Sequence, residues 1–452
     1  MCWATPRAAA RTWSRLPQHY ATWPANGISA CTASDGLRGR LSGVNSLDWH
    51  TARRVAATAR DALPVVPARL DEAVGSVLAE PLTALSDLPP FPSAAMDGFA
   101  VAGNGPWLVA ESTHLAGHEE PAPLEPGHAL SIATGAVLPA GATAVVRSEL
   151  AIVEGALHGS RLFTRDPLTN LPDESSPAPI PGTDIRARGE ECAQGDRLVE
   201  AGVIVTPGVV GLAAAAGYDT MAVVPPPVVG VFVMGDELLE RGLPRPGRVR
   251  DALGPLLPPW LAGLGARANP PIRVPDSLDA LLAEIDDAQV DVIVTTGSTA
   301  AGPVDHLHAA LDSLRARWLV DGVAVRPGHP MLMAQLRDGR ILIGLPGNPL
   351  AAVSGLITLA GPLIAAMRGI DEPIASGIEA ILLDDVTSHP HDTRLVPVAI
   401  EPGEVTHLAR PHLHAGPAML RGLAQSDGFA VITPGTGQRG TGVQVLPNPP
   451  IV

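Results

Sequence analysis

Cysteine is scarce: Cys2, Cys31 and Cys192 lie far apart with no CxxC pairing. That spacing excludes a disulfide framework and a structural zinc site, and it fits a reducing cytoplasm. Basic residues are in deficit, 31 against 46 acidic, for a formal net charge of −15. Such a field repels nucleic acid and anionic membrane surfaces, so neither is expected as a partner. No uninterrupted apolar run of about 18 residues flanked by charges stands out, so no transmembrane helix is expected. Blocks of like charge are also missing. With 46% hydrophobic, 17% charged and only 3% aromatic residues, the composition is that of a folded globular chain, not a disordered or fibrous one.

Glycine and proline are plentiful at 47 each. This is above the usual share but below the roughly 25–30% combined level of low-complexity chains, so many tight turns and short connections are expected. A chain of 452 residues should form three or four domains at about 100–200 residues each. Residues 1–45 carry several arginines, Trp3, Trp13 and Trp23, and no acid before Asp35. They lack the apolar stretch of a secretory signal and read as a disordered extension, with a targeting segment as the alternative. Helical spacing runs from Asp48 to Leu63 and continues in similar style from Asp71 to Leu78. Residues 46–90 and 192–225 are assigned to a scaffold domain. Between them, 91–191 alternates short Val/Ala/Leu runs with Gly and Pro and reads as a β-rich second domain, with 164–182 as a loop or hairpin tip.

After the proline hinge at 224–228, residues 226–373 show α/β grammar: VVGVFVMG, VDVIVTTG and RILIGLPG alternate with helical stretches such as LDALLAEIDDA. A mostly parallel sheet is expected there. Each of these strands ends in Gly followed by polar residues, and open α/β sheets bind ligands beyond the carboxyl ends of their strands. Residues 374–452 read as a small C-terminal β domain.

Several short stretches are suited to chemistry. Gly235-Asp236-Glu237 puts adjacent carboxylates after a strand end, where they can hold a hard cation such as magnesium or cap the next helix. Asp305 follows a Gly/Ser/Thr-rich loop, starting at Gly297, whose backbone N–H groups can hold a phosphate. Pro346-Gly347-Asn348-Pro349 is a rigid loop with one permissive residue, open to close backbone approach or simply a structural turn. Arg326, before Pro327 and Gly328, offers a guanidinium to an oxyanion, and His329 a titratable donor. Asp97 and the Glu190–Glu191 pair are distant in sequence and join this constellation only through a fold-back or a second protomer, whose isologous contact would create two equal sites.

In combination and order, LPPFPSAAMDGFAV (88–101), IATGAVLPAGATAVV (132–146), IRARGEECAQGD (185–196), VMGDEL (233–238), TTGSTAAGPVD (295–305), VRPGHP (325–330) and LPGNPLAA (345–352) resemble the molybdopterin molybdenumtransferase family, which includes the E-domain of gephyrin. The resemblance spans about residues 46–450. It implies an elongated homodimer of four-domain subunits, with the α/β domain facing the β-rich domain of the partner. It also implies the chemistry: adenylylated molybdopterin and molybdate are taken up, AMP is released with a divalent cation such as Mg2+, and molybdenum is left on the dithiolene. Positioning and electrostatics suffice for such a reaction. By this resemblance Asp97, Glu191, Asp236, Glu237, Asp305 and Arg326 are the catalytic candidates. Thr134, Gly235, Gly297, Pro327, Pro346, Gly347, Asn348 and Pro349 are the binding candidates, and Asp236, Glu237 and Asp305 the metal ligands.

Departures from the family pattern fall at Glu191 (Asp in the family), in Gly297–Gly302 (GGVSVG), in Asp251-Ala252-Leu253 (which loses two hydrogen-bonding side chains), at Val274 (Asp), at Gly322 (Lys), at Arg326 and His329 (both Lys), and at Pro417 (Ser). They motivate an alternative in which the chain is a pterin-binding carrier or scaffold. A molybdopterin adenylyltransferase has a similar α/β domain, but the flanking β domains and the MDG and GEE motifs argue against it. An adenylyltransferase and molybdoenzymes are expected as partners besides a second copy of the chain.

Overall fold

The computed structural model describes residues 46–119, 121–155, 159–297, 299, 306–370 and 377–450. Asp305 and residues 1–45 lie outside them. Three strands of near-continuous apolar sequence, Val228–Met234, Val292–Thr296 and Ile341–Leu345, run parallel at the centre of a seven-stranded sheet. Their residues are buried almost without interruption, as a sheet covered on both faces requires. Arg267–Ala268 and Ile272–Val274 extend it in parallel on one side. On the other side Leu332–Gln335 pairs antiparallel with Ile341–Leu345, and Arg317–Asp321 pairs antiparallel with Leu332–Gln335 and so runs with the central strands. The expected mostly parallel α/β domain is therefore present, with one strand running against the rest.

One segment departs from the sequence expectation. Pro349–Met367 is an uncharged 19-residue helix, long and apolar enough by composition to cross a membrane, yet 78% of it is buried inside this fold. A helix that is apolar all round is one that is covered all round. It serves as the central core helix, with Leu350, Val353, Leu356, Leu359, Leu363 and Met367 fully buried beside the strand residues Val231, Val294 and Ile343.

A π-helical stretch, Leu356–Ala360, interrupts this helix, and its cause is local. Gly361 N–H donates five residues back to the Leu356 carbonyl. By the same register the Ile357 carbonyl would need a donor from residue 362, which is proline and has none. Arg53, 4% exposed, supplies it from outside by donating to Ile357 O. Burial pushes the Arg53 guanidinium down to about 10, and Trp49 lies beneath it, 4.9 Å from ring centroid to guanidinium carbon. Trp49 Nε1 donates to Thr358 Oγ1 at 3.0 Å, and that hydroxyl donates to Ser354 O at 2.6 Å. The short helix Trp49–Ala57, capped by Asp48 on Thr51 N–H, is thereby locked onto the core helix. It belongs to the α/β core although it precedes the scaffold strands in sequence.

Those scaffold strands form a three-stranded sheet, Val66–Arg69, Thr220–Val224 and Val77–Leu78, backed by the helix Pro207–Ala215. The helical expectation for Asp71–Leu78 fails. The segment is turns ending in a strand, and Gly75 at φ +85° takes a backbone conformation no right-handed helix contains. Arg368, just past the core helix, donates to Gly75 O at 2.8 Å and ties this sheet to the core.

Residues 98–164 form a six-stranded sheet whose alternate residues build two cores. Ala100, Ile132 and Val145 pack on one face, and Val101, Trp107, Ala129, Val146 and Leu162 on the other. In the C-terminal region, Ile378–Leu382, His407–Pro411, Thr393–Glu401, Gly428–Ile432 and Gly442–Pro447 pair in a closed ring around small aliphatic side chains. Strand Val323–Arg326 joins this barrel in parallel through Val325↔Thr393 and Arg326↔Arg394.

Arg53→Ala leaves the buried Ile357 carbonyl without a donor. It should cost about 1–3 kcal/mol of stability, read by urea unfolding. A change within a few tenths would show that the carbonyl finds another partner.

Candidate active site

The carboxyl ends of the three parallel strands converge. Gly297 N–H donates to Leu345 O at 2.9 Å. A Cβ placed on Gly297 would lie 3.6 Å from Met234 O, and one on Gly347 would lie 3.8 Å from Gly297 Cα. The strand ends at 235, 297 and 347 therefore form one floor, with Asp236, Glu237 and Asn348 exposed on its rim. Gly235 requires glycine: its φ is +130°, and a Cβ there would meet Glu237 Oε2 at 2.8 Å.

The Gly235–Leu238 turn is fixed by residues outside the quoted motifs. Strand Ile272–Val274 runs in register with Val228–Met234, pairing Met234 with Val274, so both strands end together. Two residues beyond each end, Asp276 Oδ2 accepts from Asp236 N–H at 3.1 Å. Val274 itself is buried, and the carboxylate of this region comes from Asp276. Arg273 donates to Gly235 O at 3.0 Å and to Leu238 O at 3.2 Å, and Arg248 donates to Asp236 O. Asp251 is occupied as a cap, accepting from Leu253 N–H (3.0 Å) and Gly254 N–H (2.9 Å). The acid two positions past a strand end was the available sequence signal for Asp276. The roles of Arg248 and Arg273 had none.

Pro346 is buried, and Asn348 leads into the core helix as its N-cap without a side-chain cap bond. The first free amides of that helix are taken by the C-terminal domain: Leu350 N–H donates to Pro417 O at 2.9 Å, and Ala351 N–H to the same carbonyl at 3.4 Å. Pro417 lacks the hydroxyl of the family's serine, yet its backbone closes this side of the loop. The Pro327–Gly328 turn packs on the same helix; a Cβ on Gly328 would stand 3.1 Å from Ala351 O and 3.2 Å from Ser354 Cβ. Arg326 is half exposed, and its Nε donates to Asp392 Oδ2 at 2.7 Å.

The candidates of the β-rich domain form a second group. Asp97 Oδ1 accepts from Thr134 N–H at 2.6 Å and from Thr134 Oγ at 2.8 Å. The backbone donor first, and the hydroxyl second, hold the Asp97 carboxyl below its ordinary range. Gly98, next to it, is required by close strand approach, since a Cβ there would stand 2.1 Å from Val146 O. Glu191 is exposed, its N–H on Leu88 O at 2.9 Å. The described bonds of Asp97, Thr134 and Glu191 stay within residues 88–191, and none reaches the α/β strand ends.

Among the described residues no group of three His, Cys, Asp or Glu is placed to hold a metal ion. Asp236 and Glu237 supply two adjacent hard oxygen donors. Among the described residues, cavities of about 340 Å³ around His128, 480 Å³ at the opposite end of the α/β sheet beside Asp291 and Arg340, and 580 Å³ between Trp260 and Asn448 lie apart from the strand ends. Among the described residues the strand ends form a glycine-floored crevice rimmed by two carboxylates and a backbone loop, and the Pro327–Gly328 turn packs on the helix that starts there. Such a crevice suits a phosphorylated or oxyanionic ligand bound with a cation.

Comparison with known proteins places the chain in a family. Residues 47–217 match the family model of the MoeA N-terminal region (domains I and II), 230–366 that of a probable molybdopterin binding domain, and 379–448 that of the MoeA C-terminal region (domain IV). The chain is 32% identical over 395 residues to molybdopterin molybdenumtransferase of Bacillus subtilis, covering 83% of this chain and 88% of that one. It is 28% identical over 350 residues to the enzyme of that name from Staphylococcus aureus, covering 75% and 80%. Two crystal structures of a molybdopterin biosynthesis MoeA protein from Pyrococcus horikoshii superpose with TM-scores of 0.65 and 0.61, at 26% and 22% identity, over 89% of this chain and 98% and 99% of theirs.

Two outcomes test the local geometry. Thr134→Val removes one donor to Asp97, so its carboxyl should titrate closer to the ordinary value, read by carbon NMR. An unmoved titration would mean the backbone donor acts alone. Because the native pKa is depressed, the stabilisation from this pair is present at neutral pH and is lost as pH falls below the ordinary carboxylate range. Gly235→Ala should destabilise the protein by about 1 kcal/mol or more in thermal or urea unfolding. Wild-type stability would contradict the strained turn.

Proposed function

The chain belongs to the molybdopterin molybdenumtransferase family, and from that premise we propose that it inserts molybdate into adenylylated molybdopterin with release of AMP. The observation that carries this reading is the single floor made by Gly235, Gly297 and Gly347, with Asp236, Glu237 and Asn348 exposed on its rim. The Pro346–Pro349 loop offers backbone contact to a flat pterin. Asp236 and Glu237 offer oxygen ligands, and Asp276, Arg248 and Arg273 hold their turn rigid before any ligand arrives. Preorganisation of this kind lowers the barrier of a charge-separating step because nothing has to reorient as charge develops.

A bound Mg2+ would neutralise charge on the phosphoanhydride as AMP leaves. Asp236 and Glu237 suit it as hard carboxylate donors, with Asp305 as the third ligand of the reading. Arg326 and His329 would face the incoming molybdate. Asp97, Thr134 and Glu191 sit on a separate unit whose described bonds do not reach the crevice, so the reading includes a homodimer in which the partner delivers them. A cytoplasmic location, and transient contact with an adenylyltransferase and with molybdoenzymes, belong to the same proposal. The carrier or scaffold alternative is not favoured, since the named relatives cover most of the chain.

The decisive measurement is AMP release from adenylylated molybdopterin by purified protein with magnesium. Release is expected to depend on molybdate, to stop with a chelator, and to fall on the order of 100-fold in Asp236→Ala with an unchanged melting temperature. Pterin binding without AMP release would replace the transferase by the carrier. A monomer in sedimentation, with activity intact, would remove the shared site.

A further inference from the structure

The loop that carries Arg326 lies on the first turns of the core helix, immediately beyond the Pro346–Pro349 loop. What orients its side chain comes from a different domain. Strand Val323–Arg326 runs parallel to Thr393–Glu401 of the C-terminal barrel, with Val325 opposite Thr393 and Arg326 opposite Arg394. This register places Asp392, the residue just before that barrel strand, beside the guanidinium. Asp392 is buried, 8% exposed; its own N–H donates to His389 Nδ1 at 2.9 Å, and the same ring nitrogen lies 3.5 Å from its Oδ2. Its Oδ2 takes the Arg326 Nε–H at 2.7 Å.

The point of attachment matters. A guanidinium can bind a carboxylate through both Nη atoms, which uses up its fork, or through Nε, which leaves the Nη edge outside the pair. Here the contact is through Nε, on a side chain that remains half exposed while its partner is buried. A flexible arginine ordinarily gives up rotamer freedom to bind an anion; one already held by Nε has given it up in advance. We propose that Asp392 is a positioning residue that aims the Nη edge of Arg326 at the tetrahedral oxyanion substrate, and so sets the affinity for molybdate. This rests on the reading of Arg326 as an oxyanion contact. It goes further by assigning a role to the C-terminal barrel, which supplies the residue that orients the cation.

The test is a double-mutant cycle on the full-length protein, reading the molybdate Kd by equilibrium dialysis, the molybdate KM in AMP release and the melting temperature. Asp392→Ala should weaken molybdate on the order of tenfold or more in both Kd and KM, with the affinity for adenylylated molybdopterin unchanged. Asp392→Asn, which keeps an oxygen acceptor for Nε, should recover most of that loss. In an Arg326→Ala background Asp392→Ala should add nothing further, because its effect passes through the guanidinium. Additive losses, equal weakening of both substrates, or an Asn variant as weak as the Ala variant would each overturn the positioning role. Normal molybdate binding in Arg326→Ala would remove the anion contact itself, and Asp392's role with it. A wild-type protein that binds molybdate but releases no AMP would defeat only the transferase reading, because the dialysis cycle still reports on Asp392.

Discussion

The burial of one uncharged helix constrains most of this molecule. Pro349–Met367 offers no polar face, so every side of it must be covered, and each fully buried Leu or Ile contributes about 1.5–3 kcal/mol to keeping the covering elements in place. The parallel sheet lies along one side and the short helix Trp49–Ala57 docks on another. The N-terminal end of the helix starts at the strand-end loop and receives the Pro417 carbonyl. Positioning the helix thus positions the loop Pro346–Pro349, and with it the floor on which the proposed chemistry takes place.

Where units meet, arginine does the joining. Arg53 satisfies the Ile357 carbonyl that Pro362 leaves without a donor, Arg368 reaches Gly75 of the scaffold sheet, and Arg326 meets Asp392 of the barrel. Each places a directional donor at a seam where apolar packing alone would leave a polar group unpaired. The first two are largely buried and structural. The third is half exposed, and the same geometry that joins two domains can also orient a charge.

The departures from the family pattern look different once the chain is folded. Val274 is a core residue, and the carboxylate comes from Asp276, since two strands ending in register bring their following turns together. Pro417 has no hydroxyl, but its carbonyl still closes the helix end. Asp251 serves its own helix as a cap. Neighbouring backbone and an acid displaced along the chain thus make hydrogen bonds beside the changed positions, and the family assignment stands alongside these changes.

Local pattern alone was enough to recognise the apolar strands 228–234, 292–296 and 341–345, the amphipathic helix 278–287 and the family motifs, because parallel strands and turn glycines leave short-range signatures. The bonds that join Asp97 to Thr134, 37 positions apart, belong to the folded chain and not to the motifs read singly. Other features were decided only in three dimensions. An uncharged run such as 349–367 has the same composition whether lipid or protein covers it. The turns at 71–76 follow from a backbone conformation at Gly75 that periodicity does not register. Arg248, Arg273 and Asp392 act through turn geometry, strand register and inter-domain pairing, contacts between residues 12, 38 and 66 positions apart. A single sequence has no short-range term that reports such contacts, so the motifs were legible while the residues that hold them in place were not.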